Sequence, residues 1–424
     1  MDASEIRRLK PKLSSFLSMF ADCFARRDTR EHLTTYVQGQ LSDIERKSVE
    51  PIALQAGVPP RTLQNFLSLL SWDQEQMRQR VAEIVVREHA HPQAVGIIDE
   101  TSDDKQGNKT PGVQRQWCGS RGKTENCIVT VHLAYATPDF HCLLDGDLFL
   151  PKGWSADRPR CRAAGIPDEV EYRPKWKIAL ELYDQARANG VCFRWITFDE
   201  GYGGKPEFLR ALTARQQWFV GEVPTSFTGW VTPPEVTERP WRKAGRGRPR
   251  RTPRLKAGSP PACRVDHLLQ FAPALRQQPW VRYRIKDGQK GAIVWEVKHV
   301  LLFSKDEQGL PGDPLRLIVA RNPLDGEVKY FVSNAPAEQS IEELLLVAFS
   351  RWKVERCFED HKGEVGLDHY EGRSWLGLRR HLILSSVSYL FLARVHQELR
   401  GEKPGADHLP GPAGCLRPDT ILVA

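Results

Sequence analysis

The residues that could do chemistry are few and widely spaced. Asp99 closes the apolar run AVGIID, Asp199 closes CFRWITFD, and each run reads as a short strand with an acid at its C-terminal end. Two strand-end carboxylates call for a third acidic partner, and RWKVERCFEDHK supplies one. Arg351, Glu355 and Lys362 are spaced four and seven apart, which sets them at about 0°, 40° and 20° around one helix. One narrow face would then carry a carboxylate bracketed by two cations. On its own that stripe is an ordinary solvated ion-pair face, because Arg and Glu four residues apart are common and stabilise little. Joined to two aspartates, it suits a site holding divalent metal and phosphate. Phosphodiester cleavage places charge on the attacking and leaving oxygens. Two Mg²⁺ ions ~3.5–4 Å apart stabilise both, and such hard cations, Mn²⁺ included, take carboxylate oxygens. Glu100, Asp103, Asp104 and Glu200 lie nearby in sequence and read as supporting or solvent-facing acids.

The elements that must position these residues follow from periodicity. Residues 1–90 read as helical, with 3.6-like spacing in LSSFLSMFADCF and MRQRVAEIVVREH. Between them a short helix (Pro51 to Ala56) breaks at Gly57 and a second begins after Pro59–Pro60, which resembles a helix-turn-helix as well as an ordinary helical hairpin. From His91 the period changes to two. AVGIID, NCIVTVHLAYA and HCLLDGDLFLP read as three strands, KWKIALELYDQARA as a helix, CFRWITFDE as a fourth strand, PEFLRALTARQ as a helix and WFVGEV as a fifth strand. That order, βββαβαβ, is compatible with an RNase H-like sheet in which the fourth strand lies parallel beside the first. It would bring the ends carrying Asp99 and Asp199 together. The stretch 91–223 is therefore read as the first part of an α/β core. Residues 224–338 read as a mostly β insertion, with short alternating runs and Asp-Gly turns at Asp287–Gly288 and Asp325–Gly326. Residues 339–400 return to helix, as one run from Ser340 to Lys362 and a last apolar helix, and 401–424 form a Gly/Pro-rich tail.

Inside the insertion, the arm 241–256 holds eight cations and no acid between Arg242 and Lys256. Arg246-Gly247-Arg248-Pro249 has the shape of a minor-groove hook, and with Arg250 and Arg251 it reads as a DNA-contacting arm or as a basic loop that binds phosphate without preference. Gln114, Arg115, Arg121 and Lys123 form a second polar and basic strip, either a DNA contact or solvated turn charges. Composition narrows the classes. With 61 Lys+Arg against 53 Asp+Glu the chain is +8, which fits a polyanionic partner. Charges interrupt every apolar stretch short of the ~18 residues that cross a bilayer, and MDASEIRRLKPKL has no apolar core of a secretion signal, so no membrane span or export is expected. The nine cysteines have no CxxC pair, which speaks against a zinc ribbon and fits a reducing cytoplasm.

IIDETS, FDEGYG, a long insertion and RWKVERCFEDHK together resemble the DDE transposases of bacterial insertion sequences, over roughly residues 15 to 395. The resemblance is nearest to the hairpin-forming group with a Tyr-Arg-Glu-Lys helix motif. TPGVQRQWCGSRGKTENCIVTVHLAYA resembles the insertion-sequence-seven-zero-one branch. It implies an RNase H-like fold, catalysis and metal binding by Asp99, Asp199 and Glu355, and DNA phosphate contacts by Arg351 and Lys362. The tyrosine does not match, since its slot is Ala348 beside Phe349. It also implies a nucleoid-associated cut-and-paste enzyme that binds terminal inverted repeats of double-stranded DNA, joins them to target DNA, and works as a homodimer on that DNA. In hairpin-forming relatives an aromatic of the insertion stacks on a flipped base. Trp295 is the candidate here, with core packing as the alternative. Two other readings fit the same residues: a stand-alone RNase H-like nuclease, which would not need the insertion, and a non-catalytic DNA-binding relic.

Overall fold

The computed structural model describes residues 3–237, 252–288 and 291–402, which divide into two compact units. One joins residues 3–193 to 352–402, and the other is Arg194–Arg351.

The first unit opens with five helices: α1 (Ala3–Ser18), α2 (Arg27–Gln40), α3 (Val49–Gln55), α4 (Pro60–Ser68) and α5 (Gln74–His89). Their apolar stripes bury Phe16, Tyr36, Leu63 and Phe66. The α3–α4 turn depends on Gly57, whose φ of 68° lies in the left-handed region, and on Pro60, which starts α4 without needing its missing N–H. Four strands follow, β1 (Val95–Asp104), β2 (Gln114–Cys118), β3 (Lys123–Ala136) and β4 (His141–Leu148), then helices α6 (Lys152–Ala156), α7 (Arg158–Ala163) and α8 (Lys175–Ala188). The long β3 is the centre of an antiparallel sheet. β1 runs along one edge of it, while β2 and β4 share the other, end to end.

The second unit begins β5 (Trp195–Phe198), α9 (Glu200–Gly203), α10 (Pro206–Ala214), β6 (Trp218–Glu222). It continues through β7 (Thr228–Trp230), β8 (Val236–Thr237), β9 (Arg254–Leu255), β10 (Cys263–Arg264), α11 (Val265–Phe271) and α12 (Pro273–Arg276). The meander β11 (Val281–Gly288), β12 (Gly291–Lys305), β13 (Pro311–Arg321), β14 (Val328–Ser333) and the helix α13 (Ile341–Phe349) complete it. β5 and β6 pair in parallel and every other pairing in this unit is antiparallel among the described residues, so the β-rich insertion continues the edge that β6 offers to β14. The chain then returns to the first unit with α14 (Trp352–Val365) and α15 (Trp375–Glu402). α15 packs against α2, α4, α5, α14 and β4.

The mixed α/β character matches the sequence pattern, and four details differ. β1 continues to Asp104, so Asp99 lies in the middle of its strand and not at the end. The polar half is sustained by ladder partners from Cys127 to Val131 and by ion pairs from Glu100 to Lys175, Asp103 to Lys105 and Asp104 to Arg121. A further strand, β2, forms where the sequence reads as a polar Gly-rich connection. The helical run from Ser340 to Lys362 is two helices. α13 stops because Ser350 N–H and Oγ both donate to Val347 O, at 3.0 and 2.7 Å, and Arg351 N–H turns back to Ala348 O. The units also divide at 193/194 and 351/352, where the sequence pattern places boundaries at 223/224 and 338/339. No helix among the described residues is long and apolar enough to cross a membrane, and every described cysteine is a free thiol.

Candidate active site

Asp99 is buried at 8% exposure, and its Oδ1 accepts the Glu100 N–H at 2.7 Å. Directly across the ladder from Asp99 is His132 of β3, and across from His132 is Gly146 of β4. Residues opposite one another in a sheet share a face, so Asp99, His132 and Gly146 form one row. The glycine is required: a Cβ at position 146 would stand 2.3 Å from His132 Nδ1. His132 donates or accepts at Thr130 Oγ1, 2.8 Å from its Nε2. Burial, with the Lys362 charge beside it, pushes its imidazole down to about 3, so the ring is neutral.

α14 lies along this face and is fixed to it at three points in the same order as the rows of β1. Lys353 Nζ donates to Thr137 O at 2.7 Å, just past the pairing of Ala136 with Val95. Phe358 meets the His132 ring edge-on with centroids 5.3 Å apart, in the row of Asp99. Lys362 Nζ donates to Ser102 O at 3.3 Å. The helix therefore runs in the direction of β1, and Glu355 is carried between the first and second anchors, on the exposed side of the first turn. Glu355 and Lys362 lie about 20° apart on this helix. Arg351 falls outside it, in the turn that ends α13, so the three-residue stripe expected on one helix is reduced to two. Near the Lys362 end, burial raises the Asp103 carboxyl to about 6 against the pull of its partner Lys105.

Asp199 follows β5 directly and caps α9: its Oδ1 accepts the N–H of Gly201 at 2.9 Å and of Tyr202 at 3.4 Å. The glycines around it are there for space. A Cβ on Gly203 would sit 1.9 Å from Glu222 O, and one on Gly221 would enter the Phe198 ring. Asp199 is thus held by the second unit, whereas Asp99, Glu355 and Lys362 belong to the first. Among the described residues no three His, Cys, Asp or Glu side chains are gathered as a ready metal centre. The donor type, carboxylate oxygen throughout, is the one hard divalent cations take.

The remaining candidates are placed as follows. Arg246, Arg248, Arg250 and Arg251 of the basic arm lie outside the described residues. Trp295 packs against Phe349 with ring centroids 4.8 Å apart and is 6% exposed, so it is a core residue of the second unit. Ala348, in the tyrosine slot, is buried on α13. The helix-turn-helix reading has its two helices in α3 and α4, with Arg61 and Gln64 on the exposed face of α4. Sequence reasoning missed His132, Gly146 and Lys353, which support the Asp99 row and seat α14. Only the strand pairing reveals them, because no local spacing links them to Asp99.

These features place a carboxylate-bearing strand under a carboxylate-bearing helix. The chain belongs to the DDE superfamily of endonucleases, whose family profile matches residues 19–292. That match spans Asp99 and Asp199 and stops before Glu355. Over 168 residues the chain is 33% identical to the probable transposase for insertion sequence element IS701 of Microchaete diplosiphon. The similarity covers 39% of this chain and 41% of that relative's length.

Proposed function

We propose that this chain is a cut-and-paste DNA transposase with an RNase H-like core, in which Asp99, Asp199 and Glu355 hold two Mg²⁺ ions, or Mn²⁺ in their place. The observation that supports the reading is the seating of α14, the helix that bears Glu355, along β1, the strand that bears Asp99, in a chain of the DDE family. The element order β1, β3, β4, α8, β5, α10, β6 supports the RNase H-like arrangement. Divalent ions, when bound, supply positive charge to the attacking and leaving oxygens of the phosphodiester. The protein's own part is to aim the carboxylates and to hold the DNA. The ladder and the Glu100 N–H fix the Asp99 carboxylate, and the α9 amides fix Asp199. Lys362, half-buried beside β1, and Arg351 at the head of α14 meet phosphate oxygens. α3 and α4 bind the terminal inverted repeat, the basic arm adds contacts in the insertion, and two copies hold two ends together on DNA. The reaction nicks the element end with water and then uses the freed 3′-OH to attack target DNA.

A strand-transfer assay with pre-cut ends separates this reading from that of a nuclease alone. Joined products are expected; cleavage of intact ends with no joining from pre-cut ones would leave only the nuclease.

A further inference from the structure

We propose that the β2–β3 hairpin is a stacking platform for an unpaired nucleotide of DNA, with Trp117 as the ring and Arg115 as the phosphate contact. This rests on the reading of the chain as a DNA-acting enzyme. Along β2, Arg115 and Trp117 are exposed while Gln114 and Gln116 are half-buried, so the two share the outer face of the ribbon. Trp117 is 61% exposed, and it is the one tryptophan among the exposed large apolar side chains of the described residues. No packing need explains it, because the hairpin is secured from its other face. Cys118 and Cys127 are fully buried with Val129 against Phe149. Gln116 Nε2 donates to Cys127 O at 2.9 Å, and Trp154 Nε1 donates to Val113 O at 2.7 Å. The ring is thus carried on a fixed ribbon and costs little to order on binding.

The surroundings fit a polyanion. Residues 105–126 contain five Lys and Arg and a single acid, Glu125, against a net +8 over all 424 residues. Lys123 pairs with Glu125 at 3.0 Å and Arg121 with Asp104 at 2.9 Å, exposed pairs that phosphate can replace at little cost. β3 residues before Cys127 have no partner on β1, so the hairpin projects past the end of that strand. Thr124, the partner of Trp117, is eight residues along β3 from His132, the partner of Asp99. At ~3.3 Å per residue the platform stands roughly 26 Å from the Asp99 row, so it grips DNA away from the reacting phosphate. Phosphate alone would call for cations and not an indole. Bases within a duplex stack on each other, so an exposed ring on a basic ribbon suits an unpaired one.

The test uses the full chain, an oligothymidylate carrying one 2-aminopurine, and the same length of duplex. The wild type should bind the single strand and quench the 2-aminopurine. Trp117→Ala should lose the quench and bind the single strand roughly 5- to 150-fold more weakly, the range set by ~1–3 kcal/mol of stacking per base. Trp117→Phe should keep part of both, and duplex binding should be unchanged in either variant. Arg115→Gln should make the single-strand salt slope shallower by about 0.7. Equal single-strand binding and quenching by Trp117→Ala would overturn the platform. So would a wild type that binds duplex but not single strand, with the DNA reading left standing. A wild type that binds neither would overturn both.

Discussion

The three fully buried histidines of the first unit are held neutral: His132 and His361 are pushed down to about 3 and His381 to about 4. In the unfolded chain each would titrate near 6.5. Between about pH 6.5 and 4 the unfolded state therefore binds up to three more protons than the folded one from these groups, and stability falls as pH falls. Asp103, raised to about 6, works in the opposite sense and offsets about one proton over the same window. These four groups should contribute to urea unfolding a net loss of roughly 2–3 kcal/mol per pH unit between pH 6 and 5, at ~1.4 kcal/mol per proton. His132→Asn should remove about one proton from that slope, and a slope that variant leaves unchanged would mean His132 is not held neutral. Beside it, Gly146→Ala should destabilise by ~1–3 kcal/mol, because the new Cβ needs space the His132 ring fills. At this scale the sequence marks Asp99, Asp199 and Glu355 by type and spacing. It does not mark His132 or Gly146, whose roles exist only once β3 lies between β1 and β4.

α15 shows how one element secures others. Its Arg380 is 4% exposed and donates to the carbonyls of Phe66, Leu67, Leu70 and Trp72, closing the C-terminal end of α4. Arg380→Leu would take this donor from the carbonyls of Leu67, Leu70 and Trp72, while Phe66 O would keep the Trp72 Nε1 donor at 3.0 Å. It should destabilise by ~3 kcal/mol or more and weaken DNA-end binding, with Arg61 and Gln64 of α4 untouched. Wild-type stability in that variant would show that α4 does not depend on this cap. The element pattern was legible wherever apolar periodicity was strong: α4, α5, α8, β3, β4 and the meander fall where the period places them. It failed where tertiary partners decide. β2 and the second half of β1 are polar stretches made into strands by β3. The break at Ser350–Arg351 is set by the turn that Ser350 forms on Val347, and an unbroken apolar period gives no sign of it.

Across the whole molecule, the excess of positive charge is concentrated rather than spread, with eight cations between Arg242 and Lys256. Replacing Arg246, Arg248, Arg250 and Arg251 with Ala should make the salt dependence of duplex binding shallower by up to ~3.6 on log–log axes, at ~0.9 per lost phosphate contact. A larger loss on A·T-rich than on G·C-rich ends would assign the arm to the minor groove, and an unchanged slope would place the basic face elsewhere. The central proposal is that Asp99, Asp199 and Glu355 act as one metal-dependent centre. Mg²⁺-dependent cleavage of DNA bearing the element ends should be measured for Asp99→Asn, Asp199→Asn, Glu355→Gln and the triple variant, with end binding measured in parallel. The expected result is that each single change abolishes cleavage as fully as the triple one while binding is nearly intact, since each turns a metal-ligand oxygen into a neutral amide. Cleavage by any of the single variants within about tenfold of the parent, a loss of under ~1.4 kcal/mol in transition-state stabilisation, would contradict it.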